Sequence, residues 1–139
     1  MLAVVTARTM YERAGGEAFF DALTRRFYDA MADDPVLRPL YPADPDAYEE
    51  ARRHLALFLV QFWGGPDTYT EVRGHPRLRM RHAPFSIGAQ ERDAWVHHMS
   101  EAVRAGGLSP LDEQQMISYF SGAAAQLVNR EEDPPDAVR

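Results

Sequence analysis

The 139-residue chain contains no cysteine and no lysine. Without cysteine there are no disulfides, thiolate metal centres or iron–sulfur clusters, and no prosthetic group attached through a thioether. Without lysine, arginine carries all 15 basic charges, and its fork-shaped head grips carboxylates in a way lysine cannot match. Long apolar runs are missing too: the longest, Leu55 to Trp63, is interrupted by Gln61 and is far too short to cross a bilayer. Leu2 to Val5 is only a brief apolar patch with no basic residue ahead of it, which does not read as a signal peptide, so a cytoplasmic soluble protein is expected. Positive charge is in the minority, with a net charge of -6, which argues against nucleic acid or an anionic membrane as the main partner. No strand alternation, repeat or low-complexity tract is present.

What is present is a chain of helical periods. At 45% hydrophobic and 11% aromatic it can build a core, and its length suits one domain. After Gly15-Gly16, the residues Phe19, Phe20, Leu23, Phe27, Tyr28 and Met31 recur at helical spacing, and Asp33-Asp34-Pro35 ends that run. Asp44-Pro45 is a capping side chain followed by proline in the first helical position, and the stripe Tyr48, Ala51, Leu55, Phe58, Phe62 follows it up to Gly64-Gly65-Pro66. A non-periodic stretch from Asp67 to Pro76 reads as a long functional loop. Arg77 to His82 has room for a turn or two of helix before Pro84. Further helices are expected from Ala89 to Arg104 and from Ser109-Pro110 through Leu127. Boundaries follow as an extension over 1–10, a domain over 11–129 and a disordered acidic tail over 130–139. The class is all-α.

Five histidines are candidates for chemistry. His54, His75, His97 and His98 read as surface or satisfied residues, whereas His82 sits on a short segment behind Met80, with Leu78 one turn back on the same face and a proline two residues on. Arg73, Arg77, Arg79 and Arg81 form either a solvated basic loop or an anion clamp. Their alternation with Leu78 and Met80 would suit a cofactor with an apolar body and an anionic edge. Tyr28, Tyr41 and Trp95 each lie on or beside an apolar stripe; a buried ring of this kind bonds a backbone carbonyl or, if the three converge, a bound ligand.

Three strings make these residues coherent: Phe62-Trp63-Gly64-Gly65-Pro66, Gly74-His75-Pro76-Arg77-Leu78-Arg79-Met80-Arg81-His82-Ala83-Pro84-Phe85, and Glu91-Arg92-Asp93-Ala94-Trp95. With Arg26-Phe27-Tyr28 and Leu40-Tyr41-Pro42 ahead of them, they closely resemble the group II truncated haemoglobins over about Tyr11 to Asn129. The resemblance implies a shortened globin fold, two helices packed on two around haem b. His82 would ligate the iron, its other ring nitrogen bonded to backbone near Leu78. Tyr28, Tyr41 and Trp95 would form the polar distal pocket. Ala51 matches the position where a myoglobin-like globin carries its distal histidine, with Leu55 one turn on. Arg79, Arg81 and Tyr69 would meet the haem propionates, and Phe58, Met80, Phe85 and Met99 would pack the porphyrin.

The resemblance also implies dioxygen and other diatomic molecules as ligands, and an external reductase as partner, since no reducing domain shares the chain. A homodimer is one assembly it allows. Each donor aimed at a charged ligand is worth roughly 1.5–3 kcal/mol, which slows ligand loss roughly 10- to 100-fold. Three such donors suit nitric oxide oxidation or peroxide handling better than bulk transport. A sensor or electron-accepting partner of a reductase is the alternative, and a helical module that has lost its cofactor is a third. Tyr28 and Tyr41, if in contact near an oxidised iron, would be placed to couple covalently.

Overall fold

Nearly every punctuation mark in the sequence ends or opens a helix. The computed structural model describes residues 8–130. Its elements are α1 (Met10–Ala14), α2 (Glu17–Met31), a single 3-10 turn (Arg38–Leu40), α3 (Pro45–Phe62), α4 (Thr68–Arg73), α5 (Leu78–His82), α6 (Ala89–Arg104) and α7 (Pro110–Leu127). The proline-opened helices are capped as their residues dictate: Asp44 Oδ2 accepts from Ala47 N at 2.9 Å, and Ser109 Oγ from Asp112 N at 3.2 Å. Among the described residues no helix is long and apolar enough to cross a membrane.

The long helices form two pairs. α2 packs on α3, α6 packs on α7, and the pairs meet where α2 crosses α6. The α2 stripe supplies the centre of the core: Phe20, Leu23, Phe27 and Met31 are fully buried, together with Met99 and Val103 of α6 and Met116 and Phe120 of α7. Burying each such side chain contributes about 1.5–3 kcal/mol, which outweighs the weak intrinsic helix preference of the aromatic residues.

Polar links fix how the pairs sit. Arg52 on α3 is only 4% exposed. Its Nη1 meets Asp21 Oδ1 at 2.9 Å and Thr24 Oγ1 at 3.0 Å, while its Nη2 meets Glu49 Oε2 at 2.8 Å. Arg26 on α2 donates from Nε and Nη2 to Ala102 O at 3.1 and 2.9 Å, satisfying a carbonyl in the last turn of α6. His98 Nε2 lies 2.6 Å from Asp34 Oδ2, tying α6 to the turn after α2.

Three expectations are corrected. The segment to Met10 is not wholly an extension, because Thr9 caps α1 reciprocally with Glu12 and Met10 is buried in the core. The stretch from Asp67 to Pro76 is not all loop: it contains α4, whose Tyr69 is buried. Arg130 is held by Ser86 and Glu91, so the tail does not begin there; residues 1–7 and 131–139, where extension and disorder were expected, lie outside the described residues. α1 docks because Gly64 and Gly65 let the chain pass close. A Cβ on Gly65 would lie 2.6 Å from Val60 Cγ1 and 2.7 Å from Tyr11 Cδ1, and Gly64 has φ 103° with Thr9 equally near.

Candidate functional site

Between the helix pairs and the short helices α4 and α5 lies a cavity of about 410 Å³ with predominantly apolar walls. Every long helix contributes to it, as do the 3-10 turn, α4 and α5.

One wall carries His82. Its Nδ1 is 2.7 Å from the carbonyl oxygen of Leu78, four residues back. A carbonyl can only accept, so Nδ1 holds the proton and Nε2 keeps a free lone pair, the form an imidazole needs to ligate a metal. The segment is braced from α7's end. Asn129 Nδ2 donates to Phe85 O at 2.8 Å and to His82 O at 3.3 Å, and its Oδ1 accepts from Ile87 N at 2.8 Å. Arg77 opens α5 with φ 45°, a left-handed residue at the point where the chain must reverse into the helix.

Another part of the lining collects rings with polar edges. Tyr28 and Tyr41 have ring centroids 5.6 Å apart in an edge-to-face arrangement, and Trp95 stands edge-to-face on Phe27 at 5.4 Å. Burial pushes the Tyr41 hydroxyl up to about 12, against the opposing pull of a hydrogen bond from the Trp95 side chain. Desolvation drives Tyr28 far above the ordinary phenol range, and the neighbouring Tyr41 and Tyr48 add to it. Both phenols therefore keep their protons at neutral pH and remain donors, while the Trp95 indole can only donate. Tyr48 fixes this corner, its hydroxyl donating to Tyr28 O at 2.6 Å.

The residues singled out from sequence divide between the cavity and elsewhere. His82, Tyr28, Tyr41, Trp95, Ala51, Leu55, Phe58, Tyr69, Phe85 and Arg81 all line the cavity. Arg81 is partly engaged already, donating from Nε to Pro76 O at 2.8 Å and from Nη2 to Arg73 O at 2.9 Å. Three lie elsewhere. Met99 is wholly buried in the helix core, Met80 is 59% exposed, and Arg79 lines a separate shallow groove with Phe85, Ser86 and Arg130. Helical spacing accounts for Met80: it sits two residues from both Leu78 and His82 on α5, on the opposite side. The lining also includes His54, Arg73, Arg92, Tyr119 and Leu37. His54 shared the α3 stripe's side, and that register was the available signal. Arg73 had been singled out only as part of the basic run, and the lining gives it a place at the cavity.

A single imidazole suits a metal already held by other ligands. Among the described residues no group of three or more His, Asp or Glu could hold a bare ion. The lining's acid, Glu91, is neutralised by Arg130 Nη2 at 2.6 Å and accepts from Gly88 N at 2.7 Å. A flat apolar group carrying its own metal ligands and an anionic edge fits these walls, with His82 Nε2 free and the guanidinium groups of Arg73 and Arg81 on the lining.

Comparison with known proteins agrees. The profile of the bacterial-like globin family matches residues 9–129. The chain is 37% identical over 117 residues to the group 2 truncated hemoglobin YjbI of Bacillus subtilis, covering 84% of this chain and 86% of the relative. Among solved structures, a thermostable hemoglobin from Thermobifida fusca is 53% identical with a TM-score of 0.86, covering 90% of this chain and all (100%) of that one. The truncated oxygen-avid haemoglobin from Bacillus subtilis is 37% identical with a TM-score of 0.80, covering 88% and 100%.

Proposed function

The chain belongs to the bacterial-like globin family and, within it, to the group 2 truncated haemoglobins, and on that footing we propose that its cavity holds haem b and binds dioxygen and other diatomic ligands for redox turnover with nitric oxide or peroxide. The observation that carries this reading is the collection in one apolar cavity of a metal-competent imidazole, His82, with the protonated donors Tyr28, Tyr41 and Trp95. Haem b supplies the iron at which a diatomic ligand binds and changes oxidation state.

Everything else is done by the chain's own side chains. His82 would hold the iron through Nε2, and the Leu78 carbonyl on Nδ1 keeps the ring from turning and makes it more basic. Arg73 and Arg81 would hold the propionates, with Tyr69 beside them. Leu55, Phe58 and Phe85 would pack the porphyrin faces and exclude water, which strengthens every hydrogen bond inside. The Trp95 N–H and the two phenols, all carried by residues on the lining, would be the donors to a bound ligand. Several directed donors hold a polar ligand tightly and release it slowly, which disfavours bulk delivery and favours reaction in place.

The test is spectroscopic and kinetic. The purified protein is expected to show a strong Soret band, and its oxygenated form to be consumed by nitric oxide in stopped flow with stoichiometric nitrate. A protein that takes up no haem overturns the reading, and an oxygenated form inert to both nitric oxide and peroxide removes its redox half.

A further inference from the structure

The arginines of this acidic protein are not used evenly. Outside residues 73–81, each described arginine has a hydrogen-bonded or ion-paired partner: Arg13 with Asp112, Arg25, Arg52 and Arg53 with Glu49, Arg92 with Asp93, Arg104 with Glu101, Arg130 with Glu91, and Arg8, Arg26 and Arg38 with backbone carbonyls. The side chains of Arg73, Arg77 and Arg79 have no hydrogen bond or ion pair among the described residues, and Arg81 bonds only to backbone carbonyls. Between positions 72 and 90 there is no carboxylate at all. A cluster of cations with no acidic partner among the described residues, on a chain of net charge -6, is a concentrated positive field.

Exposed apolar side chains accompany the cluster along the chain. Met80, 59% exposed, lies between Arg79 and Arg81, and Phe85 is 41% exposed while also lining the cavity, its ring 6.4 Å from that of His82. One side chain therefore faces both solvent and the ligand-bearing wall. Phe85 shares a groove with Arg79, and exposed apolar surface beside uncompensated charge suits weak, fast electron-transfer contacts, in which complementary charge sets the encounter rate.

We propose that Arg77 and Arg79, on the same exposed segment as Met80 and Phe85, are the landing surface for an acidic one-electron donor protein that reduces the iron. The inference rests on the haem reading above. In the step, the donor's reduced centre loses one electron and ferric iron gains it; no bond is made and no proton is required. Arg73 and Arg81, on the cavity lining, are given to the cofactor's own carboxylates, which leaves Arg77 and Arg79 for the partner.

The experiment uses the haem-loaded full chain and reduced flavodoxin, an acidic flavoprotein, as the probe donor in stopped flow. The wild-type second-order rate is expected to fall steeply as ionic strength rises from about 10 mM to about 300 mM. The double variant Arg77→Glu/Arg79→Glu is expected to be about 10-fold slower at low salt and nearly indifferent to salt. Dithionite, a small donor, should reduce both proteins at the same rate, and both should keep the same Soret band. Equal rates with flavodoxin at low salt, or equal slowing with dithionite, would overturn the proposal. So would disappearance of the difference in a chain ending at Arg130, since the arginines would then answer the chain's own acidic residues Glu131 to Asp136. Retention of a DNA duplex through these arginines at physiological salt would also overturn it. A wild type without a Soret band is a different failure, that of the haem reading itself.

Discussion

The ring of His82 is tied to the Leu78 carbonyl at 2.7 Å, and that bond decides which imidazole nitrogen faces the cavity. Replacement of His82 by glycine is expected to abolish tightly bound pigment, measured as Soret absorbance per mole of protein. Free imidazole added at millimolar concentration should restore part of it. A glycine variant that keeps full, normally coloured haem removes His82 from the metal.

Trp95 lies on the cavity lining with Tyr28 and Tyr41 and packs edge-to-face on Phe27. Trp95→Phe keeps the aromatic packing on Phe27 and Phe120 but loses the N–H. Oxygen dissociation is expected to accelerate roughly 10- to 100-fold, followed by stopped-flow displacement with carbon monoxide. An unchanged rate takes Trp95 out of the ligand pocket.

Arg52 is buried with its charge answered by Asp21 and Glu49. Arg52→Met removes its bonds to both carboxylates and to the Thr24 hydroxyl at 3.0 Å, while that hydroxyl keeps its bond to Phe20 O. A loss of about 1–2 kcal/mol in urea denaturation is expected, because the carboxylates left behind stay partly solvated and Glu49 keeps Arg25.

The same cluster sets a pH dependence. Hydrogen bonds from Arg52 chiefly hold the Glu49 carboxyl at about 2, below its ordinary 4.5. The unfolded chain therefore takes up the proton more readily than the folded one. The stabilisation is complete above about pH 4.5 and is lost as the pH falls toward 2. Asp34 is lowered by His98 and Asp112 by Arg13, adding to the same acid limb. Circular dichroism across this range should show a shallower acid transition for Glu49→Gln.

Gly65→Ala is expected to cost about 1–3 kcal/mol, because its Cβ would overlap Val60 and Tyr11 and push α1 off the bundle. The loss should appear as a lowered Tm. It should shrink but not vanish when Tyr11 is also cut to alanine, since the overlap with Val60 Cγ1 remains.

The long helices were legible because each carries both a period and a stop. Asp44-Pro45 and Ser109-Pro110 open α3 and α7 at those residues. α1 escaped notice although Thr9 and Glu12 form a capping box, because five residues are too few to show an apolar face. α4 was hidden for the same reason. The cavity's aromatic members and His82 were legible through the family strings and Arg73 through its basic run, whereas His54 required the packing of α3 against α4 to bring it there. Met99 misled because it is apolar and in register, yet its register faces the core.

The brace from Asn129 joins the last described turn of the chain to the loop that begins at His82. During synthesis, the ligand-bearing segment leaves the ribosome long before the residue that clamps it. The cavity wall and its brace are thus unfinished until α7 and Asn129 have been made.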